Sequence, residues 1–363
     1  MQVAERRVCF VAPLAWPVLA RDARIPVAGG AEVQQSILAR LLGARGHRVS
    51  MVTLDFGQPD GSRVDGVTVH KAFAPGAGLP LVRLLHPKIT SMWRALARAG
   101  ADIYYVRSAS IWLRLVTAFC RRHGKHSIYA GASDKDFVPG VGGQLRYARD
   151  RWLYRQGMAR VDAIVAQNEF QRDSCRDTFG REPVVIPSAY ELPKTHSTGD
   201  IVLWVGMLHA NKRPELFIDL ARRTPQRRFV MIGGPRPGFE TYGEGVRAQA
   251  CTVPNLEFKG FLPLDQVEPW FDRARVLVNT STYEGMPNTF LQAWARGVPV
   301  AATVHVGPSL EIGEVERLCA DEAHWRAHSA ASRAWFQREH SAAAVAAHYE
   351  GVFEKICAKA VRQ

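Results

Sequence analysis

Two doubly wound α/β domains with parallel sheets are predicted by three observations. Short apolar runs alternate with helix-period segments along the whole chain, the alternation breaks once near Pro187 to Asp200 and then restarts, and 363 residues suffice for two separate cores. In the first half the apolar runs predict strands at 8–12, 48–54, 67–71, 102–106, 126–130, 162–166 and 183–187, with helices near 30–45, 88–99, 110–123, 143–159 and 168–178. Pro193, Ser197, Thr198 and Gly199 mark a linker. The second series predicts strands near 201–206, 228–232, 256–260, 275–279 and 298–302 and helices near 212–223, 240–250, 264–273 and 287–296. The expected division is 1–190, 191–340, and a C-terminal helix over 341–363 that packs back on the first domain. Two such domains put a ligand site in a cleft at the carboxyl ends of the strands.

The composition, 47 Lys+Arg against 34 Asp+Glu with 47% hydrophobic and 22% charged residues, is that of an ordinary globular protein and excludes a disordered, fibrous or disulfide-stapled chain. The six cysteines (Cys9, Cys120, Cys175, Cys251, Cys319, Cys357) form no C-x-x-C pair and read as thiols in a reducing compartment. Arg6-Arg7 followed by the apolar run from Val8 to Trp16 imitates a secretory signal, but two prolines interrupt it, and the reading adopted is a first buried strand. No apolar stretch approaches the roughly 20 residues that span a bilayer, so a cytoplasmic protein is expected.

The formal charge of +13 is uneven: residues 1–190 hold 27 Lys+Arg and 15 Asp+Glu, whereas residues 191–363 hold 20 and 19. A basic first half suits an anionic partner: a membrane surface, a polyprenyl-phosphate carrier or a phosphorylated acceptor. Nucleic acid would suit it too, but no recognition helix or aromatic strand platform accompanies the charge, and no nucleic-acid partner is expected. Arg146, Arg149, Arg151, Arg155 and Arg160 share one helix-like stretch with Tyr147, Trp152, Leu153 and Tyr154. This helix either lies on a membrane interface, giving a peripheral protein, or is solvated with an aromatic core face.

Three motifs carry candidate chemistry. Ala28-Gly29-Gly30-Ala31-Glu32 stands directly before a helix, where glycines let a phosphate approach backbone amides at the positive end of the helix dipole. Val205-Gly206-Met207-Leu208-His209-Ala210-Asn211-Lys212-Arg213-Pro214 leads from a strand end into a helix, with Lys212 and Arg213 as cations for a diphosphate. Thr282-Tyr283-Glu284-Gly285-Met286-Pro287-Asn288-Thr289 joins a strand to a helix that closes at Gly297, which aims Glu284 and backbone amides at sugar hydroxyls beside a phosphate. Asp134-Lys135-Asp136 forms a D-x-D, a pattern able to hold a divalent metal on a diphosphate, but the expectation is that there is no metal and no cofactor.

With Glu284 followed eight residues later by Gln292, and Gly297-Val298-Pro299-Val300 after it, the chain resembles the retaining GT-B glycosyltransferases of family 4, also called glycosyl transferases group 1, from the first strand to about residue 303. The resemblance implies two Rossmann-like domains, the first for the acceptor and the second for the nucleotide sugar, and transfer of a sugar with retention of anomeric configuration. It implies that Glu284 contacts the donor sugar, that Lys212 binds the diphosphate and that Gln292 takes the place of the ribose-binding carboxylate. Gly29 and Gly30 match the glycine loop, and Gly260-Phe261-Leu262 matches the loop that holds the nucleobase. Gly285, Met286, Pro287, Asn288, Thr289 and Arg213 complete the expected donor site. The implied partners are a nucleotide sugar as substrate and a glycan or lipid-linked acceptor.

Four departures stand beside these matches: Met207 where the family has an arginine, Gln292 where it has a glutamate, Gly131-Ala132-Ser133-Asp134 where it has a histidine before the aspartate, and little sign of a further strand and helix after Thr303. They motivate the alternative of a non-catalytic relative that binds a nucleotide sugar or glycan.

Overall fold

The computed structural model describes residues 4–22, 29–78, 84–138, 145, 147–191, 193, 199–235 and 238–360. Ala28, Arg146, Ser197 and Thr198 of the sequence reading lie outside the described residues. The chain divides into two compact units, residues 1–189 together with 342–363, and residues 190–341.

In the first unit, eight strands among the described residues form one sheet: β1 (Arg7–Val11), β2 (Arg48–Thr53), β3 (Ser62–Val64), β4 (Val67–Lys71), β5 (Ile103–Arg107), β6 (His126–Ala130), β7 (Ala163–Ala166) and β8 (Val184–Val185), in the order β3-β4-β2-β1-β5-β6-β7-β8. The β3–β4 pair is antiparallel and the other pairs are parallel. β3 was not expected, because three residues held by pairing with β4 carry no apolar run. The connections are α1 (Trp16–Leu19), α2 (Gly30–Ala44), α3 (Thr90–Ala99), α4 (Trp112–His123), α5 (Ala148–Met158) and α6 (Glu169–Phe179). Val8 to Val11 and all of Ile103 to Val106 are buried, as strands become when helices cover both sheet faces.

The second unit holds β9 (Ile201–Val205), β10 (Arg228–Ile232), β11 (Leu256–Gly260), β12 (Ala274–Asn279), β13 (Val300–Ala302) and β14 (Leu310–Glu311), in the order β11-β10-β9-β12-β13-β14 with every pair parallel. Its helices are α7 (Pro214–Arg223), α8 (Glu240–Ala250), α9 (Leu264–Asp272), α10 (Asn288–Ala295), α11 (Val315–Ala320) and α12 (Glu322–Glu339). Alternate strand residues feed opposite faces: Ile201, Leu203, Val230 and Leu277 pack with Phe290 and Trp294, while Val202, Trp204, Phe229 and Val276 pack with Phe217 and Ile218. The sequence showed little of a further strand and helix after Thr303; the structure corrects this, because β14 and α11 complete that edge. Two paired residues are too short to register as an apolar run.

The chain ends in α13 (Ala342–Ala360), which belongs to the first unit. Val345, Tyr349, Val352, Phe353 and Ile356 recur at helical spacing and are buried. Arg45 grips Glu350 with Nε and Nη2 at 2.6 and 2.7 Å, and the His47 ring lies 3.3 Å from the same carboxylate. The Arg45 guanidinium holds the Glu350 carboxyl below its ordinary value. A depressed folded-state value means that the unfolded chain binds the proton more readily. The stabilisation is therefore complete above about pH 4.3, the ordinary Glu value, and is lost as pH falls through the lower folded-state value. Glu350→Ala is expected to cost about 1.5–3 kcal/mol at pH 7, and the difference from the parent should vanish in acid; thermal unfolding across pH measures both.

Candidate functional site

β9 is the first strand of its unit, and the chain goes to β10 on one side of it and returns to β12 on the other. The loops that follow β9 and β12 therefore leave the same sheet edge side by side, at the switch point where doubly wound sheets take ligands. This topology joins residues 72 apart in sequence: Lys212 Nζ donates to Glu284 Oε1. Their side chains are 22% and 13% exposed, so the pair is desolvated but reachable.

Glu284 is held by more than the lysine. Ser281 Oγ donates to Oε1 at 2.6 Å and Asn279 Nδ2 at 3.3 Å, so three donors converge on one carboxylate oxygen. The loop that carries Lys212 is a 3-10 turn over Ala210–Lys212 followed by Arg213 at φ +43, so α7 starts at Pro214 rather than at the expected residue 212. Its fit to the other loop is stitched by Thr280 Oγ1 to the Lys212 carbonyl at 2.5 Å and by Trp204 Nε1 to Thr280 Oγ1 at 3.1 Å. Arg213 donates from Nε to the Thr280 carbonyl at 2.7 Å and from Nη2 to the Ser281 carbonyl at 3.4 Å. Its guanidinium thus braces the loop.

Gly285, Met286, Pro287, Asn288 and Thr289 follow Glu284 into α10, whose N-cap is Pro287 with no side-chain cap. Gly260 ends β11 at φ +68, and exposed Phe261 beside it approaches the loop after β10. Sequence reasoning passed over Gly233 and Gly234 in that loop. A Cβ on Gly233 would stand 1.8 Å from the Gly206 carbonyl oxygen, so only glycine allows the β9 and β10 loops to close on each other. It also passed over Asn279 and Ser281. The signal was the abrupt polar run Asn279-Thr280-Ser281 after an apolar strand.

Gln292 is buried, and its amide enters an ionic network. Its Nε2 donates to Glu268 Oε1 at 2.8 Å, Arg296 donates to Glu268 Oε2 and Asp272 Oδ1 at 2.7 Å each, and the Tyr190 hydroxyl donates to Glu268. Gly29 and Gly30 lie in the other unit, where Gly29 is the N-cap of α2 and the Glu32 carboxylate folds back over it, 2.1 Å from where a Cβ would stand. Burial pushes the Glu32 carboxyl up, toward its neutral form.

The D-x-D carboxylates are both engaged by the protein. Asp136 is buried and accepts from the amides of Ala132 and Ser133, while Asp134 accepts from Gln171 Nε2 at 2.9 Å. Among the described residues no cluster of three or more metal-ligating side chains occurs. On α5, Tyr154 is buried in the core whereas Trp152 is exposed, as is Tyr147 at the N-cap, so the helix carries a core side and an outward aromatic at once. Among the described residues no helix is long and apolar enough to cross a membrane.

Residues 28–192 match the family model described as Glycosyltransferase Family 4, and residues 199–332 match the model described as Glycosyl transferases group 1. The two models between them take in most of both units. The chain belongs to the glycosyl transferases group 1 family and has the GT-B fold. Mannosylfructose-phosphate synthase of Agrobacterium fabrum is 26% identical over 182 residues, 40% of this chain and 38% of that enzyme, so the match spans about two fifths of the curated relative. Sucrose-phosphate synthase from Thermosynechococcus elongatus superposes with a TM-score of 0.75 at 17% identity, covering 98% of this chain and 100% of that one. Anabaena HepE, solved in complex with UDP and glucose, superposes with a TM-score of 0.72 at 14% identity, covering 97% and 100%. These likenesses establish the shared GT-B fold.

Proposed function

We propose that this GT-B chain transfers a hexose from a nucleotide-sugar donor to a glycan or lipid-linked acceptor, with retention of anomeric configuration as in family 4. The observation that carries the reading is the meeting of Lys212 and Glu284 at the switch point of the second unit. A lysine there can neutralise the charge that develops on a departing diphosphate, and a carboxylate fixed by Ser281 and Asn279 can accept hydrogen bonds from sugar hydroxyls. Residues 190–341 would hold the donor through Lys212, Glu284, the loop from Gly285 to Thr289 and Gly260-Phe261. Residues 1–189 would hold the acceptor, and Gly29 and Gly30 at the start of α2 would bind phosphate. No metal or cofactor is assigned to the reaction. The UDP-glucose complex of HepE supports a nucleotide sugar as the donor class.

The test is incubation of the full chain with UDP-, GDP- and ADP-sugars. Release of nucleoside diphosphate from one of them, with a product whose anomeric configuration by NMR matches the donor's, is expected; inversion would overturn the family 4 mechanism. The non-catalytic alternative is favoured by Gln292, whose amide is tied to Glu268, and by Met207. Binding of a nucleotide sugar without release would decide for it.

The acceptor side is proposed to work at the cytoplasmic face of an anionic membrane. Trp152 and Tyr147 are 58% and 60% exposed beside Arg149 on the basic unit, the arrangement of an interfacial aromatic helix. Cosedimentation with phosphatidylglycerol vesicles, weakened by Trp152→Ala, is the expected result; equal binding to neutral vesicles would contradict it.

A further inference from the structure

The first unit repeats the topology that made the site in the second. β1 has β2 on one side and β5 on the other, so its switch point lies between β1 and β5. Arg107 ends β5 at this point, and α2, the helix that leads into β2, brings Gln34 to the same cavity. Arg107 is 9% exposed. Its Nη1 donates to the Tyr105 hydroxyl and its Nη2 to Ser188 Oγ, both at 3.2 Å, and its Nε is buried with no hydrogen-bond partner. Among the described residues it forms no ion pair with a carboxylate. The next residue, Ser108, has φ +71, a conformation that a non-glycine residue adopts at a cost and that marks constrained functional loops.

No carboxylate is hydrogen-bonded to this buried guanidinium, on which Asp136 and Glu32 act only through space, and an orphaned buried donor such as its Nε is rare in native proteins. Beside Arg107 is a small, partly open cavity of about 10 Å³, room for the centre of one water-sized atom, lined by Gln34, Ser188, Ala189 and Tyr349. A water there would be a neutral partner for the guanidinium, whereas an anionic oxygen of a larger group lying at the mouth would add a charge-assisted hydrogen bond. Gln34 exchanges hydrogen bonds with the backbone of Ala189 through Nε2 at 2.9 Å and Oε1 at 3.1 Å, so the wall of the cavity is fixed before any ligand arrives.

We propose that Arg107 is the centre of an oxyanion subsite in the first unit that receives one oxygen of a substrate phosphate group. The source of the phosphate rests on the proposed transfer reaction, being either the donor diphosphate or a phosphorylated acceptor; the subsite itself does not.

The test is calorimetric titration of the full chain with inorganic phosphate, a sugar phosphate and a nucleoside diphosphate at fixed ionic strength, in the parent and in Arg107→Gln. Loss of a charge-assisted hydrogen bond predicts binding weaker by about 10–150-fold. Weakening confined to the nucleoside diphosphate assigns the subsite to the donor, and weakening for inorganic phosphate and sugar phosphate assigns it to a phosphorylated acceptor. Unchanged binding of all three, or no phosphate binding by the parent, overturns the proposal. Should Arg107→Gln fail to fold, Glu32→Gln keeps the arginine and removes a negative charge that acts on it. Phosphate should then bind several-fold more tightly, and an unaltered affinity would count against the subsite.

Discussion

Lys212→Ala is expected to lower kcat for sugar transfer by about 10²–10³, because a preorganised cation aimed at charge that develops on the leaving diphosphate contributes on that order. The loss in kcat should come on top of a loss of about tenfold in donor affinity, since the lysine's interaction strengthens further as the glycosidic bond breaks. The geometry predicts an asymmetry between the two members of the pair. Without Lys212, Glu284 keeps its bonds from Ser281 and Asn279 and stays oriented. Without Glu284, Lys212 loses the carboxylate it is bonded to and its Nζ is released. Glu284→Ala should therefore impair donor binding as well as turnover, by about 10–150-fold for a lost charged hydrogen bond. The double variant should lose less than the product of the single losses, because residues that act as a unit are not additive. Steady-state kinetics on the three variants measures all of this.

The second large effect is on folding. Arg296 is 5% exposed and uses Nε on Asp272, Nη2 on Glu268 and Nη1 on the Gln292 carbonyl, so one guanidinium ties α9 to α10. Arg296→Met keeps much of the volume and leaves the carboxylates of Glu268 and Asp272 facing each other without a cation. Breaking a buried pair in this way costs about 3–5 kcal/mol. For a unit of this size that is a fall of roughly 10 °C in the unfolding midpoint, readable by calorimetry. Asp272→Asn should cost less, since Asp272 is 31% exposed and Glu268 remains to pair with the arginine.

Much of this architecture was legible in the sequence because buried parallel strands are continuous apolar runs: β4, β6, β10 and β11 fall on the expected residues. β3 and β14 were not legible, because each exists through pairing with a neighbour rather than through its own hydrophobicity. Among the candidate residues, Lys212 and Glu284 were found by motif, but the sequence could not show that they pair. That depends on β12 returning beside β9, a contact of high sequence separation. Arg213 and Gln292 show a further limit. A polar side chain near a motif reads as a ligand contact, and its partners within the chain, the carbonyls of Thr280 and Ser281 in one case and Glu268 in the other, appear only in three dimensions. Arg107 carried no motif at all; its signal is a charged residue closing an apolar strand.

The central claim is that Lys212 receives the diphosphate and Glu284 the sugar of one donor. Isothermal titration with UDP, GDP and ADP, and then with the sugar conjugate of whichever base binds, tests it directly. The account predicts that Lys212→Ala weakens both the nucleoside diphosphate and its sugar conjugate by about tenfold or more. Glu284→Ala should weaken the conjugate while leaving the nucleoside diphosphate nearly unchanged. Equal effects of both substitutions on the nucleoside diphosphate, or no effect of Lys212→Ala on it, would contradict this division of labour.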